Sequence, residues 1–322
     1  MGKSFVFVGD VAVGEALTGS LIEAGFLAAP DMASADVILT FCESQTATED
    51  VYFETGGLIQ KSKKDVYLVD LGSTSPSFSK ELSAVALVND RHAVDAPIFV
   101  HDIVVPNTFA QRDNLTIFAG GQRDDFDAVA PLLDALASTV VYRGGAGAGQ
   151  TTKAVLSLQS TAQVLSLMEA DALCRESGSD AGDAFAAALT TGALTPRVAA
   201  LHKAVVERTF ASGYTLHILM GELVAALSAA DDIDLILPQA EAAMHLLDLL
   251  AVIGGAEMSP AALSLVYADE AECAKHGLDW TRAEATYGQE GGCDCDDDDC
   301  DCGHDHIRDD EFPGGFSGYS AN

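Results

Sequence analysis

Basic residues are scarce in this chain of 322 residues, which has 17 lysines and arginines against 49 aspartates and glutamates. The formal net charge is −32 at pH 7. Such a negative field repels phosphate backbones and anionic lipids, so we expect neither nucleic acid nor membrane among the partners. Apolar residues still make up 48% of the chain, which is enough to bury a sizeable core.

Long apolar runs are also missing. No stretch of about 18 apolar residues is free of charges, so the sequence predicts no membrane-spanning helix. The first residues carry one cation, Lys3, and then Asp10, which is not the pattern of a secretory signal. We therefore expect a cytoplasmic location, where the scattered Cys42, Cys174 and Cys273 are small apolar side chains. No G-x-S-x-G, Walker or H-E-x-x-H signature is present either.

Strand-like and helix-like segments alternate in the first half of the chain. Continuous apolar runs typical of buried parallel strands occupy residues 4–9, 36–41 and 65–70, and weaker strands are predicted near 93–98, 115–119 and 138–142. Helical spacing predicts helices at about 11–24, 48–61, 77–88 and 123–137. This alternation predicts an α/β fold, a doubly wound Rossmann-type domain on a parallel sheet.

The composition changes twice further along. Residues 150–176 contain neither glycine nor proline and predict one long helix, and the chain stays rich in alanine and leucine to about 283. From Gly288 it is reduced mainly to glycine, aspartate, cysteine and histidine. We expect a Rossmann-type α/β domain over 1–147, an all-helical domain over 148–287 and a disordered tail over 288–322.

A glycine turn follows the first strand. It reads Gly9-Asp10-Val11-Ala12-Val13-Gly14 and keeps the first and third glycines of G-x-G-x-x-G. In that motif the helix N-terminus holds a pyrophosphate, which makes Gly9, Asp10, Val11 and Gly14 candidate cofactor-binding residues. The alternative is an ordinary α/β turn that binds no nucleotide.

A second glycine motif opens the long helix. Gly147-Ala148-Gly149-Gln150-Thr151-Thr152-Lys153 reads G-x-G-x-x-x-K, and here the chain resembles the β-hydroxyacid dehydrogenase family, which includes 3-hydroxyisobutyrate dehydrogenase and is similar to 6-phosphogluconate dehydrogenase. The resemblance implies that Lys153 is the catalytic acid/base, exchanging a proton with the substrate hydroxyl as hydride moves. It also implies a homodimer formed through the helical domain. A solvated helix lysine is the alternative.

Further segments resemble the same family. Residues 69–76 are similar to its nicotinamide-side segment, which implies cofactor contacts from Ser73 and Thr74. Asp95-Ala96-Pro97 opens like its substrate loop, which implies substrate contacts from these residues. His101 follows closely and is a candidate replacement acid/base or carboxylate contact, or a loop histidine without a role.

The chain departs from the family pattern at several places. Ile98-Phe99-Val100-His101 follow Pro97, so the serine and paired glycines that hold the substrate carboxylate in the family are absent, and Leu156 and Ser157 replace two asparagines. A second lysine is replaced by Gly221, with Glu222 after it. Only residues 26–35 separate the first helix from the next strand, so we expect the family's second strand and its helix to be missing. The resemblance thus implies a truncated Rossmann-type, NAD(P)-binding-like domain over 1–147.

The cofactor preference depends on the cations near the adenosine ribose. No lysine, arginine or histidine occurs between Lys3 and Lys61, so nothing there pairs with a 2′-phosphate. This favours NAD over NADP, and Asp31, 22 residues after Gly9, is a candidate ribose acceptor.

The tail is a dense array of soft metal ligands. Its candidates are Cys293, Cys295, Cys300, Cys302, His304 and His306, set around an aspartate run. Thiolate and imidazole ligands favour Zn or Ni, so we expect metal binding there. An acidic solubilising tail is the alternative.

Three functions follow from these patterns. The first is an NAD(P)-dependent oxidoreductase acting on a small hydroxy acid or carbonyl compound, with Lys153 as acid/base. The second is a non-catalytic scaffold that keeps the dehydrogenase fold. The third is a metal-handling protein that acts through its tail.

Overall fold

The computed structural model describes residues 3–287 and confirms a Rossmann-type domain followed by helices. Its strands are β1 (Ser4–Gly9), β2 (Leu27–Ala28), β3 (Val37–Phe41), β4 (Tyr67–Asp70), β5 (His92–Asp95), β6 (Ile98–Val100), β7 (Leu115–Gly121) and β8 (Thr139–Gly144). The helices among them are α1 (Val11–Glu23), α2 (Gln45–Phe53), α3 (Leu58–Lys61), α4 (Pro76–Val88) and α5 (Arg123–Leu136). The predicted helix at about 48–61 is thus two helices, interrupted at Gly56 and Gly57.

The strands form one eight-stranded sheet in the order β2-β1-β3-β4-β5-β7-β6, with β8 beside β7. Strands β1 to β5 pair in parallel, and so do β7 and β8. Strand β7 runs antiparallel to β5 and β6, so the sheet is mixed rather than wholly parallel. The reason is local: only two short 3₁₀ turns connect β6 to β7, and a parallel pairing needs a longer crossover.

The second strand of the fold survives as a remnant. Leu27 and Ala28 of β2 pair in parallel with Ser4 and Phe5 of β1. No helix follows β2, and the chain goes directly to β3, where the Asp36 N–H bonds the Ser4 carbonyl. The predicted loss of the helix is therefore confirmed, whereas two residues of the second strand remain.

The sheet buries both faces, as the continuous apolar strands predict. On one face Val37, Leu39 and Phe41 of β3 pack in a core shared with α1 and α5. On the other face Ile38 packs with side chains of α2, α3 and α4. The alternation along β3 follows from the two-residue period of a strand.

The second half is helical, as predicted. Its helices are α6 (Ala148–Glu176), α7 (Ala181–Thr190), α8 (Pro196–Val206), α9 (Leu216–Asp231), α10 (Pro238–Leu250), α11 (Glu270–Lys275) and α12 (Thr281–Tyr287), with a π turn at Ala251–Gly255 and a 3₁₀ helix at Pro260–Tyr267. Within the described residues no single helix is long and apolar enough to cross a membrane. One pair, Pro238–Gly255 with Pro260–Tyr267, reaches that length and hydropathy only jointly and is bent by 90°.

Candidate active site

Lys153 is buried where the helical half meets the sheet. It lies in the second turn of α6 with 2% of its surface exposed. Its Nζ donates to the Ile98 carbonyl at 2.8 Å and lies 2.6 Å from Oε1 of Glu222 on α9. An ammonium carries three donor hydrogens, so two are engaged and one is free for a reacting oxygen.

The surroundings of Lys153 act on its protonation in opposite directions. Burial lowers the pKa of the Lys153 ammonium, and Glu222 works against that shift. Ser157, one helical turn further along α6, donates to Oε2 of Glu222 at 3.2 Å. Burial also raises the pKa of the nearby Tyr214 phenol well above its usual range, so that phenol stays neutral. The result is a lysine that releases its proton more readily than one in water.

Asp95 holds the start of α6 in place. Its carboxylate accepts from the backbone N–H groups of Gly147 (2.8 Å), Gly149 (2.9 Å) and Gln150 (3.1 Å). Burial raises the pKa of Asp95 to about 6. The neighbouring Ala96 and Pro97 are buried. Asp95 therefore supports the helix that carries Lys153, and the two predicted substrate residues after it are buried in the protein.

The two residues predicted on the nicotinamide side differ in burial: Thr74 is buried and Ser73 is partly exposed. Thr74 is buried, donates from Oγ1 to Asp70 at 3.2 Å, and offers its N–H to the side chain of Gln150. Burial raises the pKa of Asp70 to about 7. Ser73 is partly exposed and lines a small cavity with Glu222.

The cavity beside Glu222 is nearly closed. Its volume is about 10 Å³, roughly the space of one water molecule. The closure comes from a close backbone approach, because a Cβ at Gly221 would lie 2.3 Å from the Glu43 carbonyl oxygen. Any ligand between Ser73 and Glu222 therefore requires α9 to move away from the loop after β3.

The first glycine turn, residues 9–14, has the backbone course of a dinucleotide-binding turn but carries an additional negative charge. Gly9 has φ 131°, and a Cβ there would lie 2.0 Å from the Phe41 carbonyl oxygen, so only glycine fits the close approach of β1 to its parallel neighbour β3. The side chain of Val11 is 73% exposed, so it does not fill the helix end. Asp10, however, accepts from the Val13 N–H at 2.7 Å, which puts a carboxylate where a pyrophosphate would bind. Gly14 packs against the Phe7 ring.

The loop after β2, where the ribose site is expected, has an acidic side chain, Asp31, and a basic one, Lys63, beside it. Asp31 is exposed and accepts from the Ser34 N–H at 2.9 Å, and these hydrogen bonds to Ser34 lower its pKa. The loop is anchored near the start of β1, where the Ala29 N–H bonds Phe5. Lys63 reaches this loop and bonds Asp36 at 2.6 Å and the Ser34 carbonyl at 3.2 Å. Residues 4–60 contain no cation, but the fold brings Lys63 next to them, where it is paired with Asp36.

An open pocket of about 480 Å³ lies close to Lys153, which does not itself line it. Phe99 forms one wall, with its ring centre 5.6 Å from the Lys153 Nζ. His101, the one predicted substrate residue found here, bonds Thr116 through Nε2 at 2.8 Å. Arg197 of α8 lies over the same Phe99 ring at 5.1 Å. Sequence reasoning missed Arg197, because no motif connects a helix-start arginine with a site formed by distant segments.

The predicted metal ligands Cys293, Cys295, Cys300, Cys302, His304 and His306 lie outside the described residues. Within residues 3–287, no group of three or more histidine, cysteine or acidic side chains is arranged to hold a metal ion. Metal binding by the tail therefore stays a prediction.

Comparison with known proteins agrees with this arrangement. Residues 10–144 match the family described as the NAD-binding domain of 6-phosphogluconate dehydrogenase. An uncharacterized oxidoreductase of Bacillus subtilis is 29% identical over 220 residues, covering 68% of this chain and 75% of that protein. The 2-hydroxy-3-oxopropionate reductase of Escherichia coli is 26% identical over 231 residues, covering 71% and 77%.

A solved structure shares the fold. The 3-hydroxyisobutyrate dehydrogenase of Mycobacterium tuberculosis, determined with L-serine, superposes with a TM-score of 0.69 at 19% identity. The match covers 84% of this chain and 100% of that one. It thus includes both the sheet and the helical half.

Proposed function

Since the chain is a divergent member of the NAD-binding β-hydroxyacid dehydrogenase family, we propose that it is an NAD(P)-dependent oxidoreductase acting on a small hydroxy acid or carbonyl compound. Lys153 is the acid/base of this proposal. The observation that supports it is the burial of Lys153 between two fixed partners, Ile98 and Glu222, beside an open pocket.

The chemistry required of Lys153 is a proton transfer. During carbonyl reduction its ammonium gives a proton to the oxygen that becomes the hydroxyl, and during oxidation the neutral amine takes that proton back. A bound nicotinamide would supply or accept the hydride. The lowered pKa of Lys153 favours this role, because proton transfer is fastest when the pKa lies near the working pH.

The glycine turn fits a dinucleotide in its backbone. The N–H groups of Val11 and Ala12 have no partner among the described residues and point from the end of α1. Asp10 opposes a pyrophosphate there, so cofactor binding requires its carboxylate to turn away. For the ribose we propose Asp31 as acceptor and NAD as the preferred cofactor, because Lys63, which bonds the carbonyl of Ser34 in this loop, is paired with Asp36.

Replacing Lys153 by alanine tests the proposal. With NADH and 2-hydroxy-3-oxopropionate, or NAD and 3-hydroxyisobutyrate, Lys153→Ala should lower kcat by about 10²-fold or more and leave cofactor affinity nearly unchanged. The matched control is Lys203→Ala, which removes an exposed lysine from α8. Equal turnover by the wild type and Lys153→Ala would exclude Lys153 as the acid/base.

A non-catalytic scaffold is the second candidate. Two observations favour it: the Asp10 carboxylate at the phosphate end of α1, and the contact of Gly221 with Glu43 that closes the cleft beside Glu222. A scaffold predicts no NADH binding and no turnover, and no effect of Lys153→Ala other than on stability.

A further inference from the structure

Among residues 3–287, Arg197 has no carboxylate partner, although the chain is strongly acidic. Each of the other six lysines and arginines between residues 148 and 287 lies within 4.0 Å of a carboxylate oxygen. Arg197 forms no ion pair or hydrogen bond with the described residues, and its contact is with the Phe99 ring. In a chain with 49 acidic and 17 basic residues, such a cation is available to an external anion.

The position of Arg197 gives that anion a site. Arg197 lines the pocket of about 480 Å³ beside Lys153, a volume typical of small-molecule sites. Both cations lie over the same ring, because the Phe99 centre is 5.1 Å from the Arg197 guanidinium carbon and 5.6 Å from the Lys153 Nζ. A ligand held by Arg197 therefore lies one side chain away from the proposed acid/base.

Polar groups in the same pocket are also free. The amides of Gln159 and Gln163 lie one turn apart on α6 and have no side-chain hydrogen bond to the described residues. His101 uses Nε2 for Thr116 and keeps Nδ1 open. Burial, then Arg197, lower the pKa of His101, so the imidazole is mainly neutral at pH 7 and is able to donate or accept a hydrogen bond.

One acidic residue lines the pocket and does not neutralise Arg197. Oδ1 of Asp102 accepts from the Val104 N–H at 3.1 Å, and Asp102 forms no ion pair with Arg197. The Lys153 charge is balanced by Glu222 at 2.6 Å. Arg197 is therefore the cation of this region that is free to bind an anion.

We propose that Arg197 binds the carboxylate of the substrate, in the pocket formed with Phe99, His101, Gln159 and Gln163. The proposal rests on the proposed function and deepens it, because it names the side chain that holds the carboxylate in a chain that lacks the serine and paired glycines expected after Pro97. The planar guanidinium matches a carboxylate in a two-point contact, and the Phe99 ring packs against a short carbon chain.

The test measures ligand binding separately from turnover. Acetate, glycolate, malonate and 3-hydroxyisobutyrate are titrated into the full chain and followed by saturation-transfer NMR, with 3-hydroxyisobutyramide as the uncharged control. Arg197→Gln should weaken binding of the best carboxylate by about 10-fold or more. Lys203→Gln, which removes one charge from the same helix outside the pocket, should leave it unchanged. Inorganic phosphate serves as the competing oxyanion.

The outcomes separate this inference from the proposed function. Carboxylate binding that is lost in Arg197→Gln supports the inference, even if NADH-dependent turnover is absent and the oxidoreductase proposal fails. Equal affinity in wild type and Arg197→Gln overturns it, even if turnover is observed. It is also overturned if no carboxylate binds at about 50 mM, if the amide binds as well as the acid, or if phosphate binds more tightly than every carboxylate.

Discussion

Two single side chains, Lys153 and Asp10, affect catalysis and cofactor binding in opposite directions. Lys153 is buried, and its charge is retained only because Ile98 and Glu222 receive its hydrogens. Asp10 caps α1, which stabilises the helix and at the same time opposes a phosphate at its N-terminus. The first residue favours catalysis and the second weakens cofactor binding.

Replacing Asp10 by asparagine should strengthen cofactor binding. Asparagine caps a helix about as well as aspartate, so the variant removes the charge and keeps the cap. Relief of about 1 kcal/mol of repulsion between the carboxylate and the pyrophosphate gives about a 5-fold lower Kd for NADH. Calorimetric titration of both proteins measures the change.

The control for this variant is Asp113→Asn, which removes an exposed acidic charge from the turn before β7. It should leave the Kd for NADH unchanged. If Asp10→Asn binds NADH no more tightly than wild type, the pyrophosphate does not lie at the N-terminus of α1.

At the scale of elements, the site depends on the contact of α6 with α9. The Lys153–Glu222 pair and the Ser157–Glu222 hydrogen bond join the two helices across 65 residues or more of chain. Both bonds converge on one carboxylate, so Glu222 fixes the position of Lys153 and favours its charged form.

Replacing Glu222 by glutamine should shift the pH dependence of oxidation. Glu222 raises the pKa of Lys153, so its removal lowers that pKa further, and the neutral amine forms at lower pH. The rising limb of kcat against pH should move down by about one unit. Glu222→Asp keeps the charge and should stay closer to wild type. A limb that does not move would show that Glu222 does not act on Lys153.

The elements themselves were largely predictable, and their contacts were not. Strand β3 and helix α1 form as expected. Each was predictable from its own residues: β3 from its continuous apolar run, and α1 from the four-residue spacing of Val13, Leu17 and Leu21. The antiparallel course of β7 depends on partners that β7 meets only in space. The ion pair of Lys153 with Glu222 and the position of Arg197 over the Phe99 ring also arise from contacts between segments distant in the sequence. Sequence periodicity carries no information about such contacts.

At the scale of the whole molecule, three expectations stay proposals: the division at residues 147 and 287, a cytoplasmic location, and a homodimer. An apolar groove of about 500 Å³ between α6 and the end of α9 offers a surface for the dimer. Val155, Ile233 and Leu235 line it and are exposed. Contact with a second copy would remove this apolar surface from water.

The tail should bind metal independently of the rest of the chain. Its cysteines and histidines must lose protons to bind a metal ion, so we expect at least one Zn²⁺ or Ni²⁺ per chain, with binding that weakens below about pH 6. A chain that ends at Gln289 should lose this metal and keep nearly the same melting temperature. Metal analysis of both proteins after identical loading tests this. Equal metal content would place the site within the rest of the chain.

Titration of the metal-free full chain with NADH and NADPH tests the central claim most directly. We predict that NADH binds with a Kd in the micromolar range, about −8 kcal/mol, and more tightly than NADPH. The preference is based on Lys63 being paired with Asp36, and on Asp31 accepting from a ribose hydroxyl through Oδ2 while Oδ1 accepts from Ser34. Absence of binding by either nucleotide at about 1 mM would contradict an oxidoreductase and leave the scaffold as the function of this fold.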